Sequence, residues 1–287
     1  MRILLSGGSG DLGQVLSAKL EKRANIPVRL DLREPADDRG VYINGSILDR
    51  FVLNACLSGI DCVVHIAAWH GIHQVNHTKS VYEFWDLNVT GTFNVFQAAV
   101  GAGVQRVVYI SSTSIDDPVG IYGHTKVLGE EIARTYAVRH GLQVIILRPR
   151  AFIPWWNKSV YPSFIDWAHW FWPGAVHIND VAQAVLRAID LPIFPTPLTL
   201  TVDGAYEYSD ADLNNWDADG PGTTFRKTYP QYYDLAVRHG LDPALKPKKL
   251  DISETQRWLG YQPQYSLRNL LEELAHYGAD GPPPPQL

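Results

Sequence analysis

The stretch Arg2-Ile3-Leu4-Leu5-Ser6-Gly7-Gly8-Ser9-Gly10-Asp11-Leu12-Gly13 decides how the rest of the chain is read. A short apolar run is followed by glycines spaced three apart, and Val15, Leu16 and Leu20 then recur at helical spacing. The pattern is strand, glycine turn, helix. In that setting Gly7 permits a tight turn, Gly10 lets the backbone approach a pyrophosphate, and Gly13 lets the helix pack on the strand, while the helix N-terminus offers free N–H groups to the phosphates. Gly7, Gly10, Asp11, Leu12 and Gly13 are therefore expected to bind a dinucleotide. A glycine triplet by itself is as compatible with a plain loop, and only its context favours the cofactor.

Working outward, residues 28–32 read as a second strand with Asp31 near its end, where an acidic side chain would hydrogen-bond the adenosine ribose and repel a 2′-phosphate. This favours NAD over NADP. Arg33 is either a phosphate partner or a solvated surface residue. Residues 61–68 form the next buried strand, ending in His65-Ile66-Ala67-Ala68, whose small alanines permit close approach of a cofactor. Residues 106–110 are another strand, opening into the hydroxyl row Ser111-Ser112-Thr113-Ser114 at the end of the sheet where ligands bind. Residues 143–147 are again a strand, closed by Arg148-Pro149, and 198–202 another. Alternating strands and helices make this an α/β chain with a Rossmann-type, doubly wound parallel sheet.

Between the last two strands of the first half lies Tyr122-Gly123-His124-Thr125-Lys126. Residues four apart on a helix share a face, so the phenol and the ammonium would point into one space. A free tyrosine titrates near ~10; lowering it by about 3 units requires roughly 4 kcal/mol of differential stabilisation. One lysine together with a cationic cofactor is a plausible source. The same spacing is also that of an ordinary solvated pair.

The composition sets outer limits. Of 287 residues, 46% are hydrophobic and 19% charged, and a net charge of −5 is dispersed, so neither a nucleic-acid surface nor a polybasic membrane patch is expected. The partner expected is a small molecule. Cys56 and Cys62 stand in no metal or redox spacing, the chain opens directly into a strand without a signal-peptide core, and no apolar run reaches the ~20 residues of a membrane span, so a reduced cytoplasmic protein is expected. His70, His73 and His77 cluster in one loop, but no cysteine or carboxylate is interleaved, and no metal is expected there. A long helix carrying Phe84, Leu87, Phe93, Val95 and Phe96 runs to about Val100, with Asn88 read as a solvated or packing residue.

Taken together, Gly7-x-x-Gly10-x-x-Gly13, His65-Ile66-Ala67-Ala68, Asn88-Val89-x-Gly91-Thr92, Ser111-Ser112-Thr113, Tyr122-x-x-x-Lys126, Arg148-Pro149 and Val176-His177-Ile178-Asn179-Asp180-Val181-Ala182 resemble, in order, the extended short-chain dehydrogenase/reductases of the NAD-dependent epimerase/dehydratase family. The resemblance implies that Tyr122 is the general acid or base, that Lys126 holds the nicotinamide ribose and depresses the Tyr122 pKa, and that Thr113 bonds the reacting oxygen. It also places Ser46, Ile47, Ile66, Ala67, Ala68 and Pro149 around the cofactor, with Ser46 standing where an adenine-contacting Asp is common. A homodimer through helices over 82–100 and 122–140 is implied by analogy.

The chain departs from sugar-nucleotide members in three places. Tyr122 follows Thr113 almost at once, Arg148-Pro149-Arg150-Ala151-Phe152 lacks the usual Asn, and the insert before His177 is short. A nucleotide diphosphate would find little chain to grip, and in brevity the chain is closer to uronate dehydrogenases. Five tryptophans fall between Trp155 and Trp172. Trp69, Thr113, Arg150, Trp155 and Trp156 are the substrate-side candidates, although a small core or dimer contact suits the tryptophans equally, and a structural salt bridge suits Arg150.

The expected division is a Rossmann domain over 1–150, rejoined by 176–203; a small substrate lobe over 151–175 and 204–278; and a disordered tail over 279–287. Within the lobe, 216–224 is expected to be a mobile loop. The expected activity is NAD-dependent hydride transfer at a carbinol or carbonyl carbon of a small sugar, sugar acid or polyol. An epimerase or dehydratase is the second expectation, and a catalytically silent NAD-binding scaffold or sensor the third.

Overall fold

Strands that carry apolar residues on both faces need cover on both sides, and the chain supplies it with helices packed above and below one sheet. The computed structural model describes residues 1–117 and 119–285. The strands are β1 (Arg2–Ser6), β2 (Ile26–Asp31), β3 (Val41–Asn44), β4 (Cys62–His65), β5 (Arg106–Ile110), β6 (Gln143–Pro149) and β7 (Leu198–Val202). All pair in parallel, in the order β3-β2-β1-β4-β5-β6-β7. The order reverses between β1 and β4, and the crevice at such a switch point is the ligand site of this architecture.

Alternation along each strand divides the core in two. Ile3 and Leu5, Val64, Val108 and Ile110, and Ile145 and Leu147 face the helices Asp11–Glu21 and Ile178–Asp190. Leu4, Val63, Val107, Tyr109, Val144 and Ile146 face the helices Gly91–Gly101 and Ile121–His140. A third cluster is built from Trp155, Phe164, Trp167, Phe171, Trp172, Phe225, Tyr229, Leu270 and Leu271. The Trp-rich segment is thus largely the core of a small lobe: Trp155, Trp167 and Trp172 are buried, and Trp156 and Trp170 are only partly covered.

Several expectations change. Residues 41–44 form an edge strand that the sequence reading did not place; its short run follows Gly40, which takes a positive φ of 62°. The long helix before Gly101 is three pieces, Val81–Phe84, a π-helical turn Trp85–Thr90, and Gly91–Gly101. Residues 216–224 are tied internally, because Asp217 accepts from the amides of Gly222 at 2.6 Å and Thr224 at 3.0 Å. In the expected tail, Gly278–Asp280 is a 3-10 turn and Gly281 is pressed against Phe164; residues 286 and 287 lie outside the described residues.

At the glycine turn the demand for glycine is steric. A Cβ on Gly13 would sit 2.6 Å from the Gly8 carbonyl and 2.7 Å from that of Gly7, both backbone atoms that cannot rotate away. Gly13→Ala is expected to cost about 1–3 kcal/mol, the range for forced overpacking, read as a lower thermal midpoint.

Candidate active site

The carboxyl ends of β1, β2 and β4 meet at the glycine turn. Gly7 takes φ +74°, and its missing side chain lets it lie against Ala67, whose N a Cβ would approach to 3.0 Å. Gly10 precedes the helix Asp11–Glu21, and no side chain caps that helix. Its first N–H groups are therefore available to an anion. Asp31 accepts from the Ser9 amide at 3.0 Å and the Arg33 amide at 3.0 Å, which fixes the carboxylate beside the turn. Arg33 folds back toward the Ser9 carbonyl at 3.4 Å. Ile47 is buried, and its carbonyl accepts from Asn94 at 3.1 Å, while Ser46 Oγ accepts from the Leu48 amide at 3.1 Å. The amides of Ile66 and Ala67 bond the Ser6 carbonyl, continuing the wall, and Pro149 closes β6. These surfaces fit a dinucleotide stretched across the switch point.

Tyr122 and Lys126 lie in the first turns of Ile121–His140, as their spacing requires. Lys126 is buried, and its Nζ donates to the Ile110 carbonyl at 2.7 Å. Burial pushes the ammonium down to about 7, against the raising influence of Glu130. Burial acts on the Tyr122 phenol in the other sense, raising it, with the nearby Ser112 side chain opposing the rise. Without the cofactor, desolvation therefore prevails at the phenol, and the expected lowering rests on Lys126 together with a bound cationic ring. It also shifts attention within the hydroxyl row. Ser112 is the hydroxyl beside Tyr122, whereas Thr113 starts the 3-10 turn Thr113–Asp116.

Behind these groups runs a buried polar frame. Ser111 Oγ donates to Glu130 at 2.6 Å, and Arg148 bonds the same carboxylate at 2.8 and 2.6 Å. Ser6 Oγ, His65, Thr92 Oγ1 and the Asn88 carbonyl form a chain at 2.7, 2.9 and 2.6 Å. His65 is pushed down to about 3 by burial and then by Lys126, so it is neutral in the frame. Asn88 is no solvated helix residue. Its Oδ1 accepts from the Trp69 amide at 2.7 Å, and its Nδ2 donates to the Trp69 carbonyl and Thr125 Oγ1, both at 3.0 Å. A π-helical turn at such a place commonly marks function.

The loop after β4 is fastened at its far end too, because Gln74 Oε1 accepts from the Tyr122 amide at 2.9 Å. Between these ties, Gly71 lies on the Tyr122 ring, where a Cβ would be 3.3 Å from Cδ1. His70, on the same loop, is pushed down to about 3 by burial, Lys126 and His73. Among the described residues no group of three or more His, Cys, Asp or Glu is disposed to hold a metal ion. Gln74 had no recognisable sequence signal, because it acts through a partner far along the chain; Asn88 was signalled only within the motif Asn88-Val89-x-Gly91-Thr92, which does not reveal its grip on Trp69.

The substrate-side candidates separate. Trp69 stays at the site wall, with Lys79 over its ring at 4.2 Å. Trp156 is partly exposed, edge-on to His177 at 6.3 Å. Trp155 is core. Arg150 is engaged by Asp203 at 3.6 Å, Tyr206 at 3.0 Å and the Lys248 carbonyl, so the structural role holds it away from a substrate carboxylate.

A switch-point crevice with a buried Tyr–Lys pair is the arrangement of the extended short-chain dehydrogenase/reductase class, whose NAD-dependent members are oxidoreductases, epimerases and dehydratases. Residues 3–165 match the NAD dependent epimerase/dehydratase family, and the chain belongs to it; its cofactor is NAD. Uronate dehydrogenase of Pseudomonas putida is 27% identical over 51% of this chain and 59% of its own length. L-arabinose 1-dehydrogenase (NAD(P)(+)) of Haloferax volcanii is 26% identical over 71% of this chain and 88% of its own. The solved UDP-glucose 4-epimerase of Thermotoga maritima superposes with a TM-score of 0.72 over 96% of this chain and 98% of its own, at 17% identity.

The Lys126 shift has a consequence for stability. Lys126 titrates at about 7 when folded and at 10.5 ordinarily, so between those values the unfolded chain binds the extra proton. Stability rises with pH where the unfolded state binds more protons, so the burden that Lys126 places on the cofactor-free enzyme is full below pH 7 and disappears by about 10.5. Relative to wild type, Lys126→Met is expected to be most favourable near pH 6–7 and to lose that advantage toward pH 10, as read from urea unfolding across the series.

Proposed function

We propose that the protein is an NAD-dependent dehydrogenase of a small sugar, sugar acid or polyol, with Tyr122 exchanging a proton with the substrate oxygen at which oxidation occurs. The observation that carries this reading is the convergence of the Tyr122 phenol, the Ser112 hydroxyl and the Lys126 ammonium at the end of β5. When bound, NAD accepts the hydride. Gly7, Gly10, Asp11, Leu12 and Gly13 would hold its diphosphate, Asp31 its adenosine ribose with Arg33 beside it, Ser46 and Ile47 its adenine, and Ile66, Ala67, Ala68, Lys126 and Pro149 its nicotinamide half. Ser112 and Thr113 are the hydroxyls available to the reacting oxygen. Lys126 keeps a positive field beside the phenol, and burial excludes water from the proton path.

Positioned general acids and bases typically contribute about 10²–10⁴ in rate. Tyr122→Phe is expected to lose turnover by about that factor while binding NAD within about twofold of wild type, measured by NADH absorbance and cofactor titration. An active Tyr122→Phe protein would remove the mechanism. Net NADH with sugars supports the dehydrogenase, product without net NADH would make the protein an epimerase or dehydratase, and NAD binding with neither would leave a scaffold or sensor.

We further propose a homodimer. Trp85, Val89, Phe93, Leu128, Ile132 and Tyr136 line an apolar groove between the π-helical turn, its continuation and Ile121–His140, with Trp85 47% and Phe93 48% exposed. Two long helices presenting such a groove suit a second copy of the same face. Light scattering is expected to give the mass of two chains for wild type and of one for Phe93→Glu. A reducing, cytoplasmic setting accords with Cys56 and Cys62, both unpaired and buried with thiols raised to about 11 and 12. Among the described residues no helix is long and apolar enough to cross a membrane.

A further inference from the structure

We infer that Asn157 is a positioning residue for the cofactor: its side-chain amide holds the Asp11 carboxylate toward the small lobe, which keeps the first amides of the helix Asp11–Glu21 free for the dinucleotide diphosphate. The inference rests on the diphosphate lying at the glycine turn, as proposed above, and adds what keeps that surface open.

The difficulty comes from Asp11 itself. Gln14 is the first residue of the helix whose amide bonds back, to the Gly10 carbonyl at 2.9 Å, so the amides of Asp11, Leu12 and Gly13 have no intrahelical partner. They are the groups a diphosphate would use. A carboxylate on the first helical residue is drawn to the same positive end, and it competes with the diphosphate unless something turns it away. No side chain caps this helix, and the Asp11 carboxylate instead accepts from Asn157 Nδ2 at 2.8 Å.

Asn157 is well placed for that bond. Ser159 Oγ donates to its Oδ1 at 2.5 Å, which leaves the Nδ2 end turned to Asp11. Its backbone N–H donates to the Pro154 carbonyl, and its own carbonyl accepts from the amides of Val160 and Tyr161, each at 3.0 Å. Trp156, the residue before it, packs against both the sheet core and the lobe core. The turn that carries Asn157 is therefore closed on itself and anchored.

Topology ties the contact to the cofactor crevice. The glycine turn follows β1 and Asn157 lies beyond β6, with β4 and β5 between those two strands in the sheet. The bond thus brings the lobe across the switch point to a residue 146 positions away in the chain. Burial raises the Asp11 carboxyl, and the Asn157 bond and the charge of Arg33 oppose the rise. Asn157 therefore both orients the carboxylate and replaces part of the water it has lost.

The test titrates NAD, ADP-ribose and adenosine, the last lacking the diphosphate, into wild type, Asn157→Ala, Asn157→Ser, Asp11→Asn and the Asp11→Asn/Asn157→Ala double variant. Displacing a side chain that has bonded the helix start costs about 5- to 30-fold. Asn157→Ala and Asn157→Ser are expected to weaken NAD and ADP-ribose by that factor and to leave adenosine unchanged. Asp11→Asn should bind NAD about 2- to 5-fold more tightly than wild type, and in its background Asn157→Ala should have no further effect. Weakening that persists in the Asp11→Asn background, or that extends to adenosine, overturns the inference alone, as does wild-type NAD affinity in both Asn157 variants or weaker NAD binding by Asp11→Asn. A wild type that binds ADP-ribose no better than adenosine removes the diphosphate from the glycine turn, and the inference with it.

Discussion

A buried ammonium bonded to the last carbonyl of β5 is the constraint on which the site depends. Lys126 cannot be taken out of water without a partner, and the Ile110 carbonyl is that partner. The bond sets the height of Ile121–His140 over the sheet. With the helix so placed, residues at four-residue intervals face the strand ends in turn: Tyr122 at Ser112, Lys126 at Ile110, and Glu130 at Ser111 and Arg148. Arg134 completes the row on Glu130 at 2.7 Å. One helical face therefore orients both the chemistry and the hydroxyl row, and each buried charge on it has an opposite charge or a polar group against it.

The small lobe solves a different problem. A modest number of residues must bury enough apolar area to hold together, and large rings supply it. Their indole N–H groups are spent on backbone carbonyls: Trp167 on Ile153 at 3.0 Å, Trp172 on Asp242 at 2.7 Å and Trp216 on Ala244 at 2.9 Å. These bonds join segments far apart in the chain, so the tryptophans act as staples more than as a pocket wall. Arg150 plays a similar part at the junction with β7, where Asp203 also accepts from the amides of Gly204 and Leu250.

What the residues made legible was whatever depends on local order. The glycine turn, the alternating apolar strands and the pair at Tyr122 and Lys126 all follow from spacing within a few positions, and each stands where the spacing puts it. Residues 41–44 escaped because an edge strand with one partner needs no long apolar run. The grip of Asn88 on Trp69 and that of Gln74 on Tyr122 escaped because they join residues 19 and 48 positions apart, and for Arg150 the structural salt bridge its sequence allowed is the one with Asp203. The opposing desolvation of Tyr122 was invisible for a related reason: spacing reveals the neighbouring lysine, while burial is a property of the packed whole.

The π-helical turn joins two surfaces that would otherwise be independent. Its inward residue, Asn88, grips the loop carrying His70, while its outward residue, Trp85, lies open on the flank. Six residues thus reach from the cleft wall to the open flank. The flank and the cleft wall are separated by no more than a single turn of backbone.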